Sequence, residues 1–262
     1  MKGVILAGGL GTRLNPLTRV TNKHLLPVYD RPMIYYPIQT LLNAGIDEVL
    51  IVTGGEHAGD FLKLLGNGKR LGLRELNYTY QEGEGGIADA LLLAEDFAEG
   101  EKVCMVLGDN IIERTIRTPA CDFLEQNSGA KILLKQVDQP ERFGVPRFEN
   151  DRIVEIIEKP AVPPSRYAVI GIYMFDADVF EIAKTLTPSH RGELEITDVN
   201  NQYIRRGTLT THVLDGWWAD AGTFESLHRA TCLVTETGAN NTDEPADAEV
   251  AVGTRVAPAS PQ

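Results

Sequence analysis

The chain has 262 residues, of which 43% are hydrophobic, and its 37 acidic residues against 25 basic ones give a net charge of −12. This balance disfavours nucleic acid as a partner, because nucleic-acid binding depends on cationic surface, although a local cationic loop can still bind a nucleotide. No apolar run reaches the roughly 20 residues of a membrane span. Gly8 also interrupts the first apolar stretch too early for a signal peptide.

Cysteine usage indicates a reducing compartment. The three cysteines, at positions 104, 121 and 232, are widely spaced and form neither a disulfide framework nor a zinc-binding pattern. The five histidines form no HxH or HExxH cluster. We therefore expect a cytoplasmic protein.

The first predicted element is a buried strand over residues 4–7, which leads directly into a glycine-rich loop. The glycines of this loop are Gly8, Gly9 and Gly11. Their missing Cβ atoms let a ligand approach the backbone, and Arg13 and Lys23 then bring positive charge. A strand that leads into an N–H-rich, cationic loop indicates a phosphate-binding site.

Two well-known phosphate motifs are excluded. The P-loop requires Gly-Lys-Ser/Thr, whereas Gly11 is followed by Thr12 and Arg13, and the dinucleotide fingerprint requires a third glycine where Leu14 stands. A ligand-free turn between a strand and a helix is the alternative for the glycines alone. The cationic residues in register with them, including the Lys-x-Leu-x-Pro pattern at 23–27, favour the phosphate site.

Strands and helices alternate through the first 110 residues. After the first strand, helices are predicted at 32–45, 59–65 and 87–97, and strands at 49–52, 76–80 and 103–107. This alternation predicts a parallel, doubly wound sheet, whose ligand crevice lies at the carboxyl ends of the strands. Gly8, Gln81 and Asp109 each follow a strand, so we expect one crevice to collect all three.

The second half changes character. Strands are predicted at 132–137, 145–148, 153–157 and 168–175, and helices at 179–186, 196–205 and 224–234. Asn150-Asp151 marks a hairpin turn. No long Gly/Ser linker separates the halves, so we predict one domain over 1–235, with halves at about 1–115 and 116–235. Residues 236–262 have almost nothing to bury and are predicted to be a disordered tail.

Two aspartates follow apolar segments. Asp109 stands in Leu-Gly-Asp, and Asp220 in Trp-Ala-Asp-Ala-Gly-Thr. Two carboxylates with water and phosphate oxygens suit Mg²⁺. For either aspartate alone, a turn or helix cap is the commoner interpretation, and the metal site gains support only from the pair together with the phosphate loop.

Three motifs carry a family resemblance. They are residues 8–14 (Gly-Gly-Leu-Gly-Thr-Arg-Leu), 23–28 (Lys-His-Leu-Leu-Pro-Val) and 32–37 (Pro-Met-Ile-Tyr-Tyr-Pro). With them the chain resembles the sugar-1-phosphate nucleotidyltransferases, and among these the bacterial glucose-1-phosphate thymidylyltransferases, from Met1 to about Val234. The resemblance implies the nucleotide-diphospho-sugar transferase fold, a Rossmann-like, mixed and mostly parallel sheet whose second half binds the sugar.

The resemblance also implies residue roles. Arg13 and Lys23 would be catalytic. The nucleotide would contact Leu6, Gly8, Gly9, Gly11, Thr12, Arg13, Gln81, Gly86 and Asp109. The sugar phosphate would contact Gly144, Glu158, Lys159, Val169 and Arg191. Asp109 and Asp220 would hold Mg²⁺. From the sequence alone, the simpler interpretation of Glu158-Lys159 is an exposed ion pair, and that of Gln81 is a surface loop residue.

The implied reaction transfers a thymidylyl group from dTTP to glucose-1-phosphate and releases pyrophosphate. A uridylyltransferase or another sugar-1-phosphate nucleotidyltransferase on the same scaffold is an open alternative. Thymine and uracil differ by one methyl group, worth about 1–3 kcal/mol of discrimination, so the sequence does not exclude UTP. Another alternative is a non-catalytic nucleotide-sugar sensor, against which the four intact residues Arg13, Lys23, Asp109 and Asp220 argue. A homo-oligomer is compatible with the sequence.

Overall fold

A computed structural model describes residues 1–242, which form thirteen β-strands and eight α-helices. The strands are β1 (Lys2–Ala7), β2 (Pro27–Val28), β3 (Arg31–Pro32), β4 (Glu48–Gly54), β5 (Glu75–Gln81), β6 (Val103–Leu107), β7 (Asn110–Ile112), β8 (Ala130–Gln136), β9 (Gly144–Glu149), β10 (Arg152–Glu158), β11 (Tyr167–Phe175), β12 (Leu209–Val213) and β13 (Trp218–Asp220). The helices are α1 (Tyr35–Asn43), α2 (Ala58–Leu65), α3 (Ile87–Leu92), α4 (Glu95–Ala98), α5 (Arg117–Glu125), α6 (Asp178–Lys184), α7 (Ile196–Arg205) and α8 (Phe224–Thr237).

Nine of the described strands form one mixed sheet. At its centre β1 lies between β4 and β6, and β5 extends the sheet beyond β4, with all three pairings parallel. The second half joins through β11, which is antiparallel to β6, β8 and β9. This topology confirms the predicted Rossmann-like mixed sheet, with its parallel part in the first half. From β1 the chain adds β4 and β5 on one side and then returns to add β6 on the other side, which is the arrangement that opens a ligand crevice.

The core lies on both faces of the sheet. Along β1, Val4 and Leu6 pack on the face covered by α3, α6 and α7. Ile5 and Ala7 pack on the opposite face, against α1 and α2. Successive strand residues point to opposite faces, so a strand buried on both sides reads as a continuous apolar run, as residues 4–7 do.

Several predicted elements need correction. The predicted helix over 87–97 is two helices, α3 and α4, because the Ala94 N–H bonds to the Leu91 carbonyl (2.9 Å) and tightens the chain into a turn. Helix α5 was not predicted, since its sequence contains Pro119, which is tolerated there in the first turn. Strands β7, β12 and β13 were also missed, and three to five residues are too few to show a period.

The C-terminal part of the described chain docks onto α1. Helix α8 runs to Thr237, so the fold continues past residue 235, the predicted end of the domain. Asn240 is 7% exposed, and its side chain accepts a hydrogen bond from Thr40 Oγ1 (2.7 Å) and donates one to the Tyr36 carbonyl (3.0 Å). Residues 243–262 of the predicted tail lie outside the described residues.

Within residues 1–242, no helix is both long enough and apolar enough to cross a membrane. The longest is α8, with 14 residues, whereas a transmembrane helix needs about 20.

We expect Asn240→Ala to lower the free energy of unfolding by about 1–3 kcal/mol, because the substitution removes a buried amide together with both of its hydrogen bonds. Urea unfolding measures this change. Asn241→Ala is the matched control, since the Asn241 side chain donates to the Thr237 carbonyl in an exposed setting (2.9 Å). Equal losses in the two variants would contradict a docking role for Asn240.

Candidate active site

The parallel strands deliver their carboxyl ends to one edge of the sheet. The residues at or just after these ends include Gly8, Gly54, Gln81 and Asp109. The ends of β1 and β4 lie so close together that a Cβ atom at Gly54 would be 2.9 Å from the Gly8 carbonyl oxygen. A glycine at position 54 avoids this clash. Two adjoining cavities open at this edge.

The first cavity, of about 290 Å³, lies against the glycine-rich loop, and we call it the loop cavity. Most of the residues predicted for the nucleotide line it. They are Leu6, Gly8, Gly9, Gln81, Gly86 and Asp109, and they are joined by the predicted catalytic residue Lys23. Gly11 and Thr12 line neither cavity. Gly11 instead packs against Lys23, where an added Cβ atom would lie 2.8 Å from the Lys23 Cβ.

The second cavity, of about 300 Å³, lies between β9, β11 and α7, and we call it the second-half cavity. All the residues predicted for the sugar phosphate and the metal line it. They are Gly144, Glu158, Lys159, Val169, Arg191, Asp109 and Asp220, with Arg13 beside them. Asp109 belongs to both cavities and therefore lies at their junction.

An ion pair between Lys23 and Asp109 marks this junction. Lys23 Nζ lies 2.6 Å from Asp109 Oδ2, and the two side chains are only 13% and 15% exposed. Burial opposes ionisation of Asp109, but the Lys23 charge and the hydrogen bonds from Lys23 and Asn110 outweigh it, and the pKa of Asp109 is held well below its usual range. Asp109 is therefore a carboxylate at neutral pH.

Lys23 is positioned by its two neighbours in the chain. The Asn22 side chain accepts hydrogen bonds from the His24 backbone N–H (2.9 Å) and contacts His24 Nδ1 (2.8 Å). The Asn22 amide also donates to the carbonyl of Ala7, the last residue of β1 (3.2 Å). The short turn that carries Lys23 is thus tied to the strand end beside the glycine-rich loop.

Asn110 links Asp109 to the second half of the chain. Its Nδ2 donates to Asp109 Oδ1 (3.0 Å), while its Oδ1 accepts from the Trp218 indole (2.7 Å) and the Gly171 backbone N–H (2.9 Å). The bonds from Trp218 and Gly171 are buried and so shielded from water, and the bond to Asp109 is partly buried. Pairing of β7 with β13 also places Asp220 opposite Asn110.

Asp220 is the second carboxylate at the junction. Burial, and then the negative charge of Asp109, raise the pKa of Asp220, so the two aspartates repel each other. A Cβ atom at Gly222 would lie 3.1 Å from Arg13 Nη2 and 3.5 Å from Asp109 Oδ2, which brings Arg13 to the same place. Repelling carboxylates are a hard-oxygen donor set that suits a divalent cation such as Mg²⁺, for which one or two carboxylates suffice. Within residues 1–242 no larger group of metal-ligating side chains is found.

Cationic and acidic side chains interleave in the second-half cavity. Arg191 forms a two-pronged contact with Glu195 (2.8 and 2.9 Å to its two carboxylate oxygens) and also bonds Glu193 (3.0 Å). Glu158 accepts from Thr197 Oγ1 (2.6 Å) and lies 3.4 Å from Lys159 Nζ. Lys159 adopts a left-handed backbone (φ 44°), a costly conformation for a residue other than glycine that is commonest at functional sites.

Some residues of the site were not predicted from the sequence. They are Asn110, Trp218, Thr197 and Glu195, together with the anchors Asn22 and His24. Asn110 and Trp218 stand within two residues of the predicted aspartates, so proximity to a motif was an available signal. Thr197 and Glu195 reach the cavity through the placement of α7, which no local pattern indicates.

The fold and the site together define the class of protein. The carboxyl ends of the parallel strands place glycine backbone, cationic side chains and paired carboxylates around one site. This arrangement is typical of α/β enzymes that bind phosphorylated ligands. The profile of the family described as "Nucleotidyl transferase" matches residues 2–237. The chain belongs to this nucleotidyltransferase family.

Individual relatives are similar to this chain over about nine-tenths of its length. A glucose-1-phosphate thymidylyltransferase of Neisseria meningitidis is 47% identical, over 89% of this chain and 82% of the relative. One of Mycobacterium tuberculosis is 43% identical over the same shares. A crystal structure of a Bacillus anthracis protein described as a glucose-1-phosphate thymidylyltransferase, in complex with sucrose, has a TM-score of 0.86 at 52% identity and covers 90% of this chain and 96% of that one. A UDP-glucose pyrophosphorylase shares the fold, with a TM-score of 0.78 at 24% identity over 89% and 98% of the two chains.

His24 generates a prediction about pH. Burial, and then the charge of Lys23, lower the pKa of His24 from 6.5 to about 3. Below pH 6.5 the unfolded chain therefore binds a proton that the folded state excludes. The free energy of unfolding should fall by about 1.4 kcal/mol for each unit by which the pH decreases below this value. His24→Gln should remove this share of the slope, as measured by urea unfolding at about pH 7.5 and about pH 5.5.

The matched control is His228→Gln, which removes an exposed histidine. Its slope with pH should equal that of the unmodified protein. If His24→Gln retains the full slope as well, His24 is not held in the neutral form.

Proposed function

We propose that this chain transfers a thymidylyl group from dTTP to glucose-1-phosphate, giving dTDP-glucose and pyrophosphate. The observation that carries the proposal is the pair of cavities that meet at Asp109, one lined by the glycine-rich loop and one by the second half. The nucleotide and the sugar phosphate can react only if the cavities that hold them adjoin. The names of similar relatives support the choice of substrates.

The nucleotide occupies the loop cavity in this proposal. Its base lies against Gly8, beside Gln81 and Gly86, all of which line this cavity. Its phosphates extend toward Asp109, where Lys23 and Arg13 offset their charge. Gly9 supplies a backbone N–H group near the phosphates, in the manner of other glycine-rich phosphate loops. Gly11 acts through Lys23, against which it packs.

Glucose-1-phosphate occupies the second-half cavity. Glu158 accepts hydrogen bonds from sugar hydroxyls, and Gly144 and Val169 form the wall with their backbones. Lys159 and Arg191 hold the phosphate, to which a planar guanidinium binds with two parallel hydrogen bonds. Because Arg191 already bonds Glu193 and Glu195, the carboxylates keep it in place before the phosphate arrives.

The reaction needs no side-chain nucleophile. The sugar-phosphate oxygen is already anionic and attacks the α-phosphorus in line, forming the new P–O bond as the bond to pyrophosphate breaks. The protein contributes by bringing two mutually repelling anions together and by stabilising the charge that develops between them. Lys23 and Arg13 do this on the nucleotide side, and Lys159 and Arg191 on the sugar side.

Asp109 and Asp220 would hold Mg²⁺ in this scheme. When bound, the ion supplies positive charge that orients the α-phosphate and offsets its developing charge. Burial, and then the negative charge of Asp109, raise the pKa of Asp220, so a divalent cation held by both carboxylates would offset their repulsion. A cytoplasmic location accords with the free cysteines at positions 104, 121 and 232.

The test of function is release of pyrophosphate from dTTP and glucose-1-phosphate in the presence of Mg²⁺. The expected result is turnover with both substrates present and none with either alone. Parallel reactions with UTP and with galactose-1-phosphate decide the base and the sugar. No pyrophosphate from any pair would contradict the proposal and favour a protein that binds nucleotide sugars without turning them over.

Lys23→Ala should lower kcat/KM by about 30-fold to 1,000-fold, which corresponds to about 2–4 kcal/mol of lost charge stabilisation. Pyrophosphate release under initial-rate conditions measures the change. Lys63→Ala, which removes an exposed lysine from α2, is the control and should leave the rate unchanged. Equal rates in Lys23→Ala and the unmodified protein would remove Lys23 from the catalytic residues.

A further inference from the structure

The side-chain amide of Gln81 is held in one orientation. Its Nε2 donates to Asp89 Oδ2 (2.9 Å) and to the Gly86 carbonyl (3.3 Å). A carboxylate and a backbone carbonyl accept hydrogen bonds and cannot donate them. Only the NH₂ group of the amide can therefore face Asp89 and Gly86. The carbonyl oxygen of Gln81 must then point the other way.

That oxygen faces the loop cavity. Gln81 Oε1 lies 3.0 Å from the position that a Cβ atom would take at Gly8, so it stands over the bare backbone of the glycine-rich loop. Gln81 is buried, and both Gln81 and Gly8 line the cavity. A ligand over Gly8 therefore meets a hydrogen-bond acceptor there, and not a donor.

The contact with Asp89 depends on a second glycine. A Cβ atom at Gly85 would collide with the Asp89 carboxylate, and would lie 3.0 Å even from the Asp89 Cβ. Asp89 stands in the first turn of α3, where an acidic residue also interacts favourably with the helix dipole. An interaction with the helix dipole does not require the Asp89 carboxylate to bond Gln81. The close packing of this carboxylate against Gly85 keeps it within hydrogen-bond distance of the Gln81 amide.

We propose that Asp89 is a positioning residue that selects the nucleotide base by fixing the amide of Gln81 with its oxygen toward the ligand. This inference rests on the proposed function, because it takes a pyrimidine base to lie over Gly8. Thymine and uracil present an N3–H donor at the edge that Gln81 Oε1 would meet. Cytosine presents an unprotonated N3 acceptor there, and two acceptors facing each other in a buried site repel.

The experiment measures kcat/KM for pyrophosphate release with dTTP and with dCTP, each with glucose-1-phosphate. Asp89→Ala removes the acceptor that holds the amide, and should lower the dTTP-over-dCTP ratio by about tenfold. The loss should appear in KM for dTTP, while KM for glucose-1-phosphate stays unchanged. A ratio of rates is independent of how much of the variant is folded.

Two further variants separate positioning from a structural effect. Gly85→Ala keeps Asp89 but displaces its carboxylate, and should reproduce the loss of the ratio. Asp89→Asn retains a carbonyl acceptor and should recover part of it. Asp96→Asn removes one negative charge from the exposed surface of α4 and should match the unmodified protein.

The outcomes distinguish this inference from the proposed function. If the unmodified protein turns over dTTP but Asp89→Ala keeps its ratio within about twofold, the role of Asp89 is overturned and the function stands. If no turnover occurs, equilibrium binding of dTTP and dCTP replaces the assay. A binding preference for dTTP that Asp89→Ala loses would then support the inference without the function, and an unchanged preference would overturn it.

Discussion

The site depends on one contact between opposite charges. Lys23 Nζ and Asp109 Oδ2 lie 2.6 Å apart at the point where the two cavities meet. Each charge makes burial of the other tolerable, because an isolated charge in so shielded a place would be costly. The contact also joins the turn after the glycine-rich loop to the end of β6, and so connects the parts of the chain that form the loop cavity. Anionic ligands entering either cavity approach this pair.

The rest of the structure holds the pair in place from both sides. Asn22 and His24 fix the turn that carries Lys23 against the end of β1. Asn110 fixes Asp109 and reaches Trp218 in β13. A protein with a net charge of −12 can therefore bind anions, because four of its cationic side chains meet at one edge of the sheet. They are Arg13, Lys23, Lys159 and Arg191.

Much of this fold could be predicted from the sequence, because buried parallel strands read as short apolar runs followed by glycine or a polar residue. Gly8, Gln81 and Asp109 were placed in one crevice on that basis, and all three line the loop cavity. The pairing of β7 with β13 could not be predicted, since strands of three residues have no period and their register depends on tertiary contacts. The bond from Gln81 to Asp89 was hidden for a similar reason, as it depends on how the glycines between them turn the chain.

In the proposed function, the junction at Asp109 separates a base site from a sugar site. A crystal structure with dTDP-glucose and Mg²⁺ would show whether the ligand divides at this point. We expect the thymine against Gly8 in the loop cavity, the glucose beside Glu158 in the second-half cavity, and the diphosphate passing Asp109 between them. A nucleotide sugar bound in the reverse direction, or one that occupies only one cavity and leaves Asp109 uncontacted, would contradict it.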